Sequence, residues 1–185
     1  MIGKLFGAVA RAATRKLTNA MVDGVLKPRN DSYPDEIVCK FQKLMRQRIY
    51  VYLLNEVNIE RLGDKGKMTP TKMKKSEKVL RENFDEIHKA HFERKRELKS
   101  LAEKEAKEQM SNLHPDSDRH DKLLNAAHFE AFIIVVMNEW SEGGDIYLDA
   151  DEDTDTESFQ VWNNSIDDAI RHGIVTMDEI ESQEL

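Results

Sequence analysis

From Thr69 to about Leu113 one stripe of side chains recurs at steps of three, four and their sums: Leu80, Phe84, Ile87, His91, Leu98, Leu101, Ala106, Met110 and Leu113. That period is one face of an α-helix, and the other positions are Lys, Arg, Glu and Asp of mixed sign. Thr69-Pro70 opens the stretch with a capping hydroxyl and the one helical position that welcomes proline, and no proline or glycine follows before Pro115. At ~1.5 Å per residue this central helix would exceed ~60 Å, so it needs other helices, or another chain, along its side. A second stripe, Ile37, Phe41, Leu44, Met45, Ile49, Tyr52, Leu53 and Val57, predicts a helix from about Asp35 to Leu62. Gly63-Asp64-Lys65-Gly66 then turns the chain, and a short turn between long amphipathic helices implies an antiparallel hairpin.

Lys122 to Trp140 is the most hydrophobic run. As a helix it is apolar nearly all round from Ala126 to Met137, which calls for burial between other elements. Its length and the spacing of Leu123, Ala127, Ala131 and Ile134 decide for a helix, with Gly143-Gly144 as C-cap. Phe132 to Val136 is β-branched enough for a strand, so the alternative is an α+β fold with a small antiparallel sheet from 131–162. Two short helices close the chain: Ser165-x-x-Asp168 opens one that Gly173 ends, and Thr176-x-x-Glu179 is a capping box for the other. The fold class is therefore all-α, a long helical hairpin or small bundle with a coiled-coil-like central helix. Residues 1–27 read as a basic amphipathic helix, 28–34 as a proline-bearing linker, 35–144 as the helical core domain, and 145–185 as an acidic C-terminal segment.

Charge sharpens this picture. The chain of 185 residues carries −7 overall, but from Glu142 onward fourteen acids face a single base, Arg171, so that part holds −13 and the first 141 residues hold +6. The acids gather in Asp149, Asp151, Asp153, Asp155 and Glu157. Alternating aspartates resemble the opening of an EF-hand loop, yet Thr154 stands where that loop needs glycine and Gln160 where it needs the bidentate glutamate. The bases gather in Lys65, Lys67, Lys72, Lys74, Lys75, Lys78 and Arg81, where Glu77 is the only acid from 65 to 81. Cations in the first turn of a helix oppose its macrodipole, so their placement points to an anion or an acidic partner. In residues 1–27 Lys4, Phe6, Arg11, Arg15 and Lys16 offer a basic, partly apolar surface to a membrane or a partner groove.

Catalytic chemistry finds little support. There is no glycine-rich phosphate loop, nucleophile elbow, cysteine pair or His-Glu metal helix. Asp85, His88 and His91 follow one another at three-residue steps, half of the carboxylate-histidine pattern of di-iron bundles without its second copy. Cys39 is the single cysteine, which fits a reducing, cytoplasmic compartment. No window approaches the ~20 apolar residues of a membrane span. The expectation is a non-enzymatic helical interaction protein without cofactor or metal, an adaptor or regulator of the kind viruses often encode. It would engage another protein through its charged central helix and terminal segments. One alternative is a self-assembling scaffold or virion component. Another is an electrostatic nucleic-acid binder with an acidic autoinhibitory tail. Residues 1–27 add a membrane surface to the partners open to it.

Overall fold

The computed structural model describes residues 32–112, 117–143 and 156–185, and among them every regular element is a helix. In chain order these are α1 (Asp35–Glu60), α2 (Pro70–Glu82), α3 (Phe84–Asn112), α4 (Ser117–Gly143), α5 (Thr156–Arg171) and α6 (Met177–Glu181). The all-α reading holds, and α4 and the start of α5 replace the strands of the α+β alternative over the described part of 131–162. The N-terminal segment 1–27 lies outside the described residues.

Asp35 and Glu36 set negative charge against the positive end of α1. Its buried stripe includes Val38, Phe41, Met45, Ile49, Leu53, Leu54 and Val57. The helix ends at a turn that its own sequence builds. Gly63 takes φ +66°, where side-chain-bearing residues are strained, and the buried Asn58 amide donates to the Asp64 carbonyl at 2.5 Å. Asp64 then accepts from the Gly66 N–H, and the Thr69 hydroxyl accepts from the Lys72 N–H, so the turn hands over to α2 with its first turn capped.

The predicted unbroken helix from Thr69 to Leu113 is two helices, α2 and α3, parted at Asn83. There φ and ψ are −121° and 24°, and both the backbone N–H and the side-chain amide of Asn83 donate to the Val79 carbonyl. A short amide side chain that competes for a helix carbonyl offers the backbone an exit from the helix. The break separates two packing duties. Met73, Ser76 and Leu80 on α2 lean toward α1, whereas α3 pairs along its length with α4 as an antiparallel hairpin.

Phe132, Ile133, Ile134, Val136, Met137 and Trp140 are all buried, so this half of α4 is enclosed on several sides, as its pattern demands. Phe41, Phe132 and Trp162 meet edge-to-face or stacked with centroids 5.7–6.3 Å apart, joining α1, α4 and α5. The C-terminal helices belong to this core through Trp162, Ile166, Ala169, Val175 and Ile180. The α5 helix starts at Thr156, so Ser165 lies in its interior, where its hydroxyl donates to the Val161 carbonyl. Gly173 ends the helix with φ +66°, and the Thr176–Glu179 capping box opens α6.

The predicted apolar stripe of the central helix fades along α3. Ile87 is buried, but Leu101 is 50% and Met110 is 78% exposed. Toward its tip the α3–α4 hairpin is only two helices thick, and each helix has one neighbour against which to hide apolar surface. Replacing Ile87 with Asp is expected to cost about 3 kcal/mol, because it puts an unpaired carboxylate at a core position. Chemical denaturation with an unchanged midpoint would show that the stripe is not core at Ile87.

Candidate functional site

The seven bases singled out in the sequence divide into two groups. Lys72 is held by Asp64 at 2.8 Å, Lys78 reaches Glu82 at 3.7 Å and Arg81 binds Glu77 at 3.0 Å. The Lys72 ammonium also keeps the Asp64 carboxyl below the ordinary carboxylate range. Lys65, Lys67, Lys74 and Lys75 are exposed and, among the described residues, have no acid within ion-pair distance. The face they share follows from burial. Ser76 and Leu80 anchor α2 to the core, which turns Lys74, Lys78 and Arg81 to the opposite side, with Lys75 at its edge. Lys65 and Lys67 stand in the turn just before the helix. The acids Asp149, Asp151, Asp153 and Asp155, the Glu157 side chain, and Lys4, Phe6, Arg11, Arg15 and Lys16 lie outside the described part.

A second constellation joins three helices. His91 of α3 is 3% exposed and spends both ring nitrogens on carboxylates: Nδ1 lies 2.6 Å from Glu130 of α4, and Nε2 lies 2.8 Å from Glu56 of α1. Arg94, one turn on, reaches Glu56 at 2.7 Å and Glu130 at 3.4 Å. The Tyr52 hydroxyl closes the knot on Glu56 at 3.4 Å. Burial works against a charge on His91, but the hydrogen bonds it donates to Glu130 and Glu56 outweigh it and lift the ring to about 9. Burial likewise opposes the Glu56 charge, and the bonds from His91 and Arg94 overcome it, so that carboxyl lies below its ordinary value. Tyr52 is pushed up to about 12 by burial and then by the Glu56 charge. Two carboxylates, an imidazolium and a guanidinium thus cancel to zero.

A cleft of 180 Å³ opens beside the knot, with Glu60, Arg61 and Ile87 among its walls. Its chemistry is limited by how completely the knot satisfies itself. An imidazolium that donates from both nitrogens has no lone pair with which to act as a base. Both carboxylates are likewise occupied, which suits a clamp between helices better than a reaction centre.

The sequence pattern Asp85, His88 and His91 disperses in the fold. Asp85 is exposed, His91 turns into the knot, and His88 bonds Asn138 while its Nε2 is buried without a partner. Among the described residues no three His, Cys, Asp or Glu side chains converge as metal ligands. Glu56, Arg94 and Glu130 escaped the sequence reading. The available signal was Glu130 inside the most apolar run and Glu56 inside the α1 stripe, charges at positions that otherwise hold core residues.

One turn beyond the knot, Lys95 is 6% exposed, and burial followed by repulsion from Lys99 draws its ammonium down to about 8. Cys39 is a free, half-buried thiol. None of the described helices is long and apolar enough to cross a membrane. No family model matches this chain, and neither a curated protein nor a solved structure does.

Proposed function

We propose that this chain is a non-enzymatic interaction protein that docks an acidic macromolecule on the outward side of α2 and the turn before it. One observation carries the reading: among the described residues Lys65, Lys67, Lys74 and Lys75 have no acid within ion-pair distance although α2 is fixed to the core from behind. Isolated surface lysines contribute little to stability, and like charges along one short helix repel. A summed positive field over a rigid face attracts polyanions and speeds their encounter. The self-satisfied His91 knot supports the non-enzymatic half of the proposal.

The acidic stretch after α4 fits this reading as a competitor for the same face. Asp149, Asp151, Asp153 and Asp155 carry the charge opposite to that of the lysine face, which is what such a competitor needs.

Titration with duplex DNA as a probe polyanion tests both parts. Binding is expected to weaken steeply between low and moderate salt, and changing Lys65, Lys67, Lys74 and Lys75 to Gln should lower the logarithmic salt slope by about one per lysine that meets a phosphate. Changing Asp149, Asp151, Asp153 and Asp155 to Asn should tighten binding at low salt, with the gain shrinking as salt rises. An unchanged affinity in the lysine variant would remove the α2 face from the account. Truncation after Glu142 is unsuitable, since it strips Trp162, Ile166 and Ile180 from the core.

A second reading, self-association, rests on α1. Val51 and Ile59 are 48% and 47% exposed and share one helical face with Gln47 and Asn55, and Leu62, 40% exposed, follows in the turn beyond the helix. A second copy packed on that face would give a discrete dimer by light scattering, and Ile59→Lys should return it to monomer. A wild-type chain that is monomeric at every concentration tested excludes this reading.

A further inference from the structure

The turn between α5 and α6 lays a histidine flat on one from α4. His128 and His172 stack with ring centroids 3.9 Å apart and planes inclined by 17°. Both rings are half-buried. His172 Nδ1 lies 2.6 Å from the Asn125 side-chain oxygen, so that nitrogen carries the proton and donates it. Gly173 follows at φ +66° and turns the chain toward α6.

Charged groups reach the pair from both elements. On α4 stands Asp121, and on α5 stand Asp168 and Arg171, which bind each other at 3.1 Å. Burial is the main influence on His172 and opposes its charge, Asp168 and Asp121 favour the charge, and Arg171 opposes it; the ring is held below the ordinary histidine value. Among the described residues no acid plays a similar part at His128. Burial comes first, repulsion from His172 and Arg171 adds to it, and the ring is drawn down to about 4. Neutral rings can stack in contact, whereas a proton on either makes the next one harder to place and two imidazoliums repel.

We propose that His128 and His172 form an acid-sensitive latch, which fastens the α5–α6 turn to the α4 side of the hairpin near neutral pH and lets it go on mild acidification. Both rings resist protonation in the closed form, so closure is unopposed above about pH 6.5, the ordinary histidine value. Below that, an opened turn takes up protons that the closed pair refuses, and the open population grows by up to tenfold per pH unit for each proton. Release stays local. Trp162, Ile166, Val175 and Ile180 remain in the core, and Arg48 of α1 binds the Ile174 carbonyl at 2.6 Å.

Amide hydrogen exchange on the full chain between pH 7.0 and 5.0, corrected for the intrinsic rate, reads the latch directly. The amides of His172, Gly173 and Ile174, which bond back to α5, should open at least tenfold more often at pH 5.0 than at pH 7.0. The double variant His128→Phe, His172→Gln keeps a flat ring and a donor for Asn125 but cannot titrate, so its opening should not change with pH. A flat wild-type profile overturns the proposal. So does a double variant that retains the wild-type slope, since carboxylates would then be responsible. Should that variant fold poorly, the imidazole carbon–proton resonances of the wild type decide instead. Both rings must titrate below a free histidine, and either one titrating at or above it overturns the latch.

Discussion

Replacing His91 with alanine is expected to destabilise the fold by about 3–5 kcal/mol, the usual result of removing one partner from a buried charge cluster. His91 touches Glu130 at 2.6 Å and Glu56 at 2.8 Å, and its side chain is 4% exposed. Without the imidazolium, two carboxylates from different helices share the Arg94 guanidinium alone. The loss is therefore dominated by charge left unpaired, and the net worth of the original bonds is smaller. The double variant His91→Leu, Glu130→Leu removes a positive and a negative charge together and should recover a large part of the loss. If the two changes were simply additive in chemical denaturation, the knot would not be an energetic unit.

The same knot sets a pH window. His91 binds its proton more tightly in the folded chain, about 9 against 6.5 for an ordinary histidine. Its contribution is fully present below pH 6.5 and is lost as pH rises through 9, and the difference amounts to about 3 kcal/mol. Glu56 has the opposite sign. Its lowered value makes its contribution present above its ordinary 4.5 and lost as pH falls through the folded value. The stability advantage of the wild type over the His91→Ala variant should therefore shrink between pH 6.5 and pH 9, a difference in which the opposite contribution of Lys95, drawn down to about 8, cancels.

Replacing Trp162 with alanine is expected to cost about 4 kcal/mol, within the usual range for deleting a large buried aromatic. Trp162 is 1% exposed and fills the space between Phe41 of α1 and Phe132 of α4, and its indole N–H donates to Glu139 at 2.8 Å. The change leaves a cavity where three helices meet and takes a donor from Glu139, which also binds Arg46 at 3.0 Å. Because α5 and α6 share the α1 core, the loss should appear as one cooperative transition of the whole chain, with a lowered midpoint in tryptophan-independent circular dichroism. Early melting of α5 and α6 alone would mean that they form a separate unit.

Local sequence determined most of the helices. The three- and four-residue period marks α1 and the inner part of α3, the Gly63 turn and Thr69-Pro70 cap set where one helix stops and the next starts, and the Thr176–Glu179 box opens α6 as its residues require. These features need only neighbours a few residues away. The continuous apolar run from Phe132 to Met137 was ambiguous in sequence, because a buried strand and a fully enclosed helix show the same lack of polar positions. Packing between α1, α3 and α5 resolved it. The Asn83 break was hidden for another reason: its neighbours are good helix formers, and a single asparagine leaves the helix only when α2 and α3 have different partners to meet. The unpaired lysines were visible as a cluster, but which of them lack acids depended on Asp64, Glu77 and Glu82 coming into reach. The His91 knot and the His128–His172 stack draw on residues 35, 39 and 44 positions apart. No local period encodes such pairs, since only the hairpin register and the return of α5 across α4 bring those side chains within hydrogen-bonding or stacking distance.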